Sequence, residues 1–167
     1  SSDVCSSDLG DKCKTNLSVI KSVIRSNENR SKILLNRVYE ILNKKVKNKK
    51  ITFLGVTFKA NTDDMRDSSS LTMIPLLSKK GAIIKYFDPT GKKKDFDKFK
   101  NVSYESSIKK SVEGSDLVII HTEWNDFKSI NFKKLAKGKK FKVYDMRNIY
   151  SKSKIEAQGF KYFSVGN

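Results

Sequence analysis

Residues 51–81 read ITFLGVTFKANTDDMRDSSSLTMIPLLSKKG, and this stretch decides the fold. Its opening run, ITFLGVTF, is short, apolar and rich in β-branched and aromatic residues, as a buried strand is. SSLTMIPLLSKKG carries apolar residues at helical spacing. It ends in Gly81, the residue type that most easily takes the left-handed turn closing a helix. Pro75 suits such a helix if it lies in the first turns, where a missing N–H costs little. Between strand and helix the loop has no glycine and carries Lys59, Asp63, Asp64, Arg66 and Asp67.

The same alternation continues downstream. AIIKYFDP, SDLVIIHT, KFKVYDM and FKYFSVG read as further strands, and SSIKKSVEG, NFKKLAKG and SKSKIEAQG as short helices. GKKKDFDKFKNVSYE reads as a polar, lysine-rich excursion. Continuous apolar strands separated by helices predict a parallel sheet covered on both faces. Right-handed crossovers make it a doubly wound, Rossmann-like α/β domain. Ahead of it, residues 16–43 recur at helical steps through Leu17, Ile20, Ile24, Ile33, Leu34, Val38, Ile41 and Leu42, and Asn16 can cap the start. A long amphipathic helix needs an apolar surface to lie on. A further domain, a dimer partner or both can supply it. We therefore expect a helix and linker over residues 10–48 and the α/β domain over 49–167.

The first nine residues, SSDVCSSDL, contain no lysine and no periodicity, unlike all that follows. They match the translation of a sequencing-adapter string, so we set them aside as an assembly scar, with more protein expected upstream. Of the two cysteines, Cys5 falls in that scar. Cys13 has no histidine near it in sequence, so neither a disulfide framework nor a zinc site is expected. No apolar run approaches the roughly 20 residues of a membrane span. Without a signal peptide the expected location is cytoplasmic. The formal net charge of +17 raises the question of nucleic acid. The excess is nearly all lysine, spread along the chain without interleaved aromatic residues, so no nucleic-acid or membrane partner is expected.

In a doubly wound sheet, ligands bind beyond the carboxyl ends of the strands. Four segments lie there: the charged loop, FDPTG, HTEWNDF and DMRNIY. Lys59 at a strand end, with Ser68 to Ser70 capping the next helix, suits a phosphate, and Arg66 can reach a second anion. Equally, Asp63 and Asp67 can neutralise Lys59 and Arg66 in surface ion pairs. Arg147 is either an anion clamp oriented by Asp145 or half of a structural Arg–Asp pair. His121, the sole histidine, reads as a polar strand-end residue, and Trp124 as a packed loop anchor.

GVTFKANTDDMRDSSSL, GAIIKYFDP, SDLVIIHTEW and VYDMRNIY with GFKYFSVG resemble, in order, the C-terminal domain of the UDP-glucose 6-dehydrogenase and nucleotide-sugar dehydrogenase family. NLSVIKSVIRSNENRSKILLNRV is similar to the end of that family's central helix. The resemblance implies an NAD-dependent enzyme that oxidises UDP-glucose to UDP-glucuronate through a cysteine nucleophile. UDP-N-acetylmannosamine and GDP-mannose dehydrogenases, or a non-catalytic nucleotide-binding module, are the alternatives. By motif position it implies that Phe58, Lys59 and Arg147 contact the UDP-sugar and that Arg66 reaches toward NAD. It also implies a homodimer through helix 17–43. The G-x-G-x-x-G fingerprint and the Gly-Gly-x-Cys-x-x-Lys-Asp segment of the nucleophile are absent, and DMRN replaces the usual Asp-Gly-Arg. This chain alone is therefore expected to be catalytically inert.

Overall fold

A computed structural model describes residues 18–136 and 138–166, with side chains from residue 29 onward. The expectations for residues 1–9, Cys13 and Asn16 fall outside these. Six strands, all parallel, form one sheet: β1 (Lys50–Leu54), β2 (Ile83–Phe87), β3 (Val102–Tyr104), β4 (Leu117–Ile120), β5 (Lys142–Asp145) and β6 (Lys161–Ser164). Their order is β3-β2-β1-β4-β5-β6. The direction of winding reverses between β1 and β4, the doubly wound arrangement that the alternation predicts.

The central strands are buried at nearly every position, because both faces are covered. Ile51 and Phe53 of β1, Leu117 and Ile119 of β4 and Tyr144 of β5 belong to one core. Leu54, Val118, Ile120 and Val143 belong to the other. Two helices cover the first face: α1 (Ser18–Ile41) and α2 (Ser70–Lys79). The second face is covered by α3 (Ile108–Val112), α4 (Phe132–Leu135) and α5 (Lys152–Glu156), with Phe127, Phe132, Phe141, Tyr150 and Phe160 filling the space between.

Four features depart from the sequence reading. First, the apolar face of α1 finds its surface inside this chain. Leu34, Leu35, Val38, Ile41 and Leu42, with Val46 of the linker, are buried in the same core as β4 and β5. The helix thus roofs the part of the sheet that α2 does not reach. Second, β1 stops at Leu54, because Gly55 takes φ +77° and turns the chain. Third, the lysine-rich excursion contains an edge strand, β3, and a 3-10 turn at Lys94–Phe96 whose Phe96 is buried. Fourth, Pro75 lies mid-helix in α2, not in the first turn. It deprives the Leu71 carbonyl of its helical partner, and burial of Met73, Ile74 and Leu77 on the core side holds the helix in place. Among the described residues no helix is long and apolar enough to cross a membrane.

Candidate functional site

The chain-reversal point between β1 and β4 opens on the loop that carries Phe58, Lys59 and Arg66. A buried carboxylate from the neighbouring strand end holds the loop's root. Asp88 Oδ2 accepts from the backbone of Val56 (2.8 Å) and Thr57 (3.4 Å), while Oδ1 accepts from Thr90 N and Oγ1. FDPTG is therefore a brace for the loop. The serines that precede α2 are braces as well. Ser68 and Ser70 are buried, and both hydroxyls donate to Val56 O at 2.6 Å. Ser69, at the cap position, makes no capping bond; its hydroxyl meets His121 Nε2 at 2.8 Å. The first N–H groups of α2 are already occupied: Ser70 N by Ser68 Oγ, Leu71 N by Ser68 O and Thr72 N by Ser69 O. Of the two alternatives for this loop, the phosphate reading thus finds the first N–H groups of the helix already bonded within the chain.

Arg147 follows β5, and three strand ends fix it. Its Nε donates to His121 O at 2.7 Å, and its Nη2 to Phe58 O at 2.9 Å. Glu123 Oε2 lies 3.0 Å from Nε but makes no hydrogen bond, because that N–H points at the carbonyl. Asp145 is not the side-chain partner of Arg147. It is a buried hub that accepts from the backbone N–H of Arg147 and Tyr150 and from the Tyr162 hydroxyl. DMRN thus holds its arginine without the usual glycine. Of a guanidinium's five N–H bonds, those on Nη1 have no protein acceptor among the described residues, and Arg147 is partly exposed.

His121 is 1% exposed, with Nδ1 3.1 Å from Thr122 Oγ1. Burial, with the nearby Arg147 charge adding, pushes its pKa down to about 3, so the ring is neutral at ordinary pH. Trp124 is buried on the opposite core face, as a loop anchor would be.

These groups surround a cleft of about 190 Å³. Phe58, Lys59, Asp67, Ser69, His121, Met146 and Arg147 form one side, and Arg30, Ser31 and Leu34 of α1 form the other. Arg30, Lys59 and Arg147 face Asp67 there, with Glu123 beside Arg147, which leaves a positive excess that favours an anion. Phe58, 46% exposed, offers an apolar ring at the lip. The volume is below the roughly 300–1,000 Å³ of complete small-molecule sites, so the cleft is part of a site. A larger groove, about 800 Å³, lies between α1 and the following linker, lined by Tyr39 and several lysines. It lies away from the strand ends where polar groups converge. Sequence reasoning missed Arg30, Ser31 and Met146. Arg30 and Ser31 sit in a polar interruption of the helix pattern, and only the packing of α1 on the sheet brings them here.

Arg66 lies apart from the cleft, 88% exposed. Its Nε and Nη2 grip both carboxylate oxygens of Asp64, at 3.0 and 2.9 Å. Hydrogen bonds from its side chain and backbone lower the Asp64 pKa to about 2. Asp64, rather than Asp63 or Asp67, thus forms the loop's ion pair. An exposed arginine already clasped by a carboxylate does not make a dinucleotide site. Taken by themselves, the described residues offer no complete dinucleotide site. No cluster of metal-ligating side chains occurs among them either.

Comparison with known proteins places this geometry. Residues 52–152 match the UDP-glucose/GDP-mannose dehydrogenase family, UDP binding domain. The chain belongs to that family. A UDP-glucose 6-dehydrogenase from Rickettsia bellii is 36% identical over 152 residues, covering 89% of this chain and 35% of that protein. The chain thus spans about a third of the length of the curated relatives it matches. In fold, it is similar to a UDP-glucose dehydrogenase from Pyrobaculum islandicum, with TM-score 0.73, 23% identity, and coverage of 93% of this chain and 34% of that one. It is also similar to UDP-D-ManNAc dehydrogenase from Pyrococcus horikoshii, with TM-score 0.71, 26% identity, and coverage of 94% and 35%. This UDP binding domain carries its polar groups where strands β1, β4 and β5 end.

Proposed function

We propose that this chain is the substrate-nucleotide domain of an NAD-dependent UDP-glucose 6-dehydrogenase, which oxidises UDP-glucose to UDP-glucuronate in its full-length form. The observation that carries this is the convergence of Phe58, Lys59 and Arg147 on one cleft in a chain of this family. Arg147 presents its free Nη1 face to a phosphate oxygen, Lys59 adds a mobile positive charge, and Phe58 packs against an apolar or ring surface of the ligand. The small volume of the cleft supports a site completed by other parts of the enzyme. In the full-length enzyme NAD would supply the oxidant for the sugar. Arg66 meets the cofactor on this reading only by sharing or releasing Asp64.

Titration calorimetry of the 167-residue chain with UDP tests the binding role. We expect measurable affinity and a loss of roughly 10- to 100-fold in Arg147→Ala, the scale of one hydrogen-bonded charge. A chain that binds UDP no better than uridine would overturn the reading. The oxidation is tested on the full-length protein by NADH formation. UDP-glucose should outperform UDP-N-acetylmannosamine and GDP-mannose.

A further inference from the structure

The imidazole of His121 is bonded at both nitrogens, and the direction of each bond can be assigned. Thr122 Oγ1 donates its one proton to Thr57 O at 2.8 Å. It must therefore accept from His121, so Nδ1 carries the ring proton. The ring is neutral, which leaves Nε2 as a lone pair that accepts from the Ser69 hydroxyl at 2.8 Å. The bonds run in one direction: Ser69 to His121, His121 to Thr122, Thr122 to Thr57. This chain joins the start of α2, the end of β4 and the root of the charged loop. Its ends matter because of what they adjoin. Arg147 is held by two carbonyls, one belonging to His121 itself and the other to Phe58, the residue after Thr57. The Phe53 ring, 6.2 Å away and tilted, packs beside the imidazole.

We propose that His121 is a positioning residue: acting through Thr122 and Ser69, its imidazole braces the two peptides whose carbonyls aim Arg147 into the cleft. This deepens, and depends on, the reading of the cleft as a UDP-sugar site. An aliphatic residue at 121 leaves the Ser69 hydroxyl without its acceptor and Thr122 Oγ1 without its donor, so that the Thr122–Thr57 bond alone links the two peptides and their carbonyls shift relative to one another. The guanidinium then keeps its charge and loses its aim.

A double-mutant cycle on UDP affinity separates positioning from plain structural support. Calorimetry compares the wild-type chain, His121→Ala, Arg147→Ala and the double variant, with folding checked by circular dichroism. We expect His121→Ala to weaken UDP roughly tenfold, the worth of one or two hydrogen bonds, and to have no further effect once Arg147 is alanine. His121→Asn, which keeps a donor for Thr122, should recover part of the loss. Thr122→Val is isosteric and lies outside the cleft. It repeats the cycle if the alanine variant fails to fold. Equal losses with and without Arg147, or no loss at all, overturn the inference while leaving the UDP site standing. Absence of UDP binding by the wild-type chain removes both. Because His121 is the sole histidine, a nitrogen-15 histidine spectrum also reads its tautomer directly. A ring protonated on Nε2 contradicts the chain of bonds.

Discussion

At the scale of single residues, the site depends on close fits that polarity patterns do not reveal. Gly55 is the sharpest case. A Cβ there would lie 2.6 Å from Thr122 Cβ and 2.8 Å from its Oγ1, at a φ of +77°. We expect Gly55→Ala to cost roughly 1–3 kcal/mol, from left-handed strain and a buried clash, measured by urea denaturation. A variant as stable as wild type would show that Thr122 is loosely held. Asp64 gives a second test. Its folded pKa, about 2, lies below the ordinary value of 3.8. The clasp on Arg66 is therefore complete above pH 3.8 and is lost as pH falls through about 2. Carboxyl carbon-13 shifts should report that midpoint, and Arg66→Ala should return it toward 3.8. Residue chemistry was only partly legible in the sequence. The motifs point to Phe58, Lys59 and Arg147, and the structure gathers all three at one cleft. The serines could not be read in this way, because a Ser run before a helix signals capping, whereas here two of the hydroxyls turn back to the Val56 carbonyl.

At the scale of elements, sequence pattern identified five of the strands and the five α-helices among the described residues, and it failed where an element is too short to show a period. Strand β3 has three residues, none of them fully buried, set among lysines. Only its pairing with β2 makes it a strand. The role of α1 was hidden for a different reason. Its apolar stripe states that something must cover it, but not what. From Leu34 to Leu42 the cover is this domain's own sheet, whereas Ile33 points outward at 67% exposure. Leu35→Ala should therefore behave as a core deletion. We expect a loss of roughly 2–5 kcal/mol, with a melting temperature that does not depend on protein concentration. A loss that fades as concentration rises would instead assign Leu35 to a contact between copies. The same packing brings Arg30 and Ser31 to the cleft, so a roof helix also serves as a wall of the site.

At the scale of the molecule, charge is sorted between the two ends of the sheet. Two adjoining grooves at the amino ends of the strands are lined by Lys44, Lys45, Lys47, Lys49, Lys80, Lys140, Lys142 and Lys161, with only Glu40 and Asp116 opposing them. At the carboxyl ends, Asp64, Asp88, Glu123 and Asp145 accompany Lys59, Arg66 and Arg147, and most of these charges are already engaged. That end therefore carries a local excess of positive charge, part of the chain's net +17, that repels itself and takes no part in the cleft. Added salt shortens the Debye length from about 30 Å at 0.01 M to about 8 Å at 0.15 M. Over that range, screening of the lysine end should raise the melting temperature. Screening of the cleft should at the same time weaken UDP, because its attraction for a phosphate comes from few, partly exposed cations. One salt titration, followed by calorimetry and thermal unfolding together, should therefore move stability and affinity in opposite directions. If stability instead fell with salt, surface pairs such as Lys139–Asp116 and Lys92–Asp97 would outweigh lysine repulsion. Such exposed pairs contribute roughly 0–1 kcal/mol each, too little to offset the like charge gathered at that end.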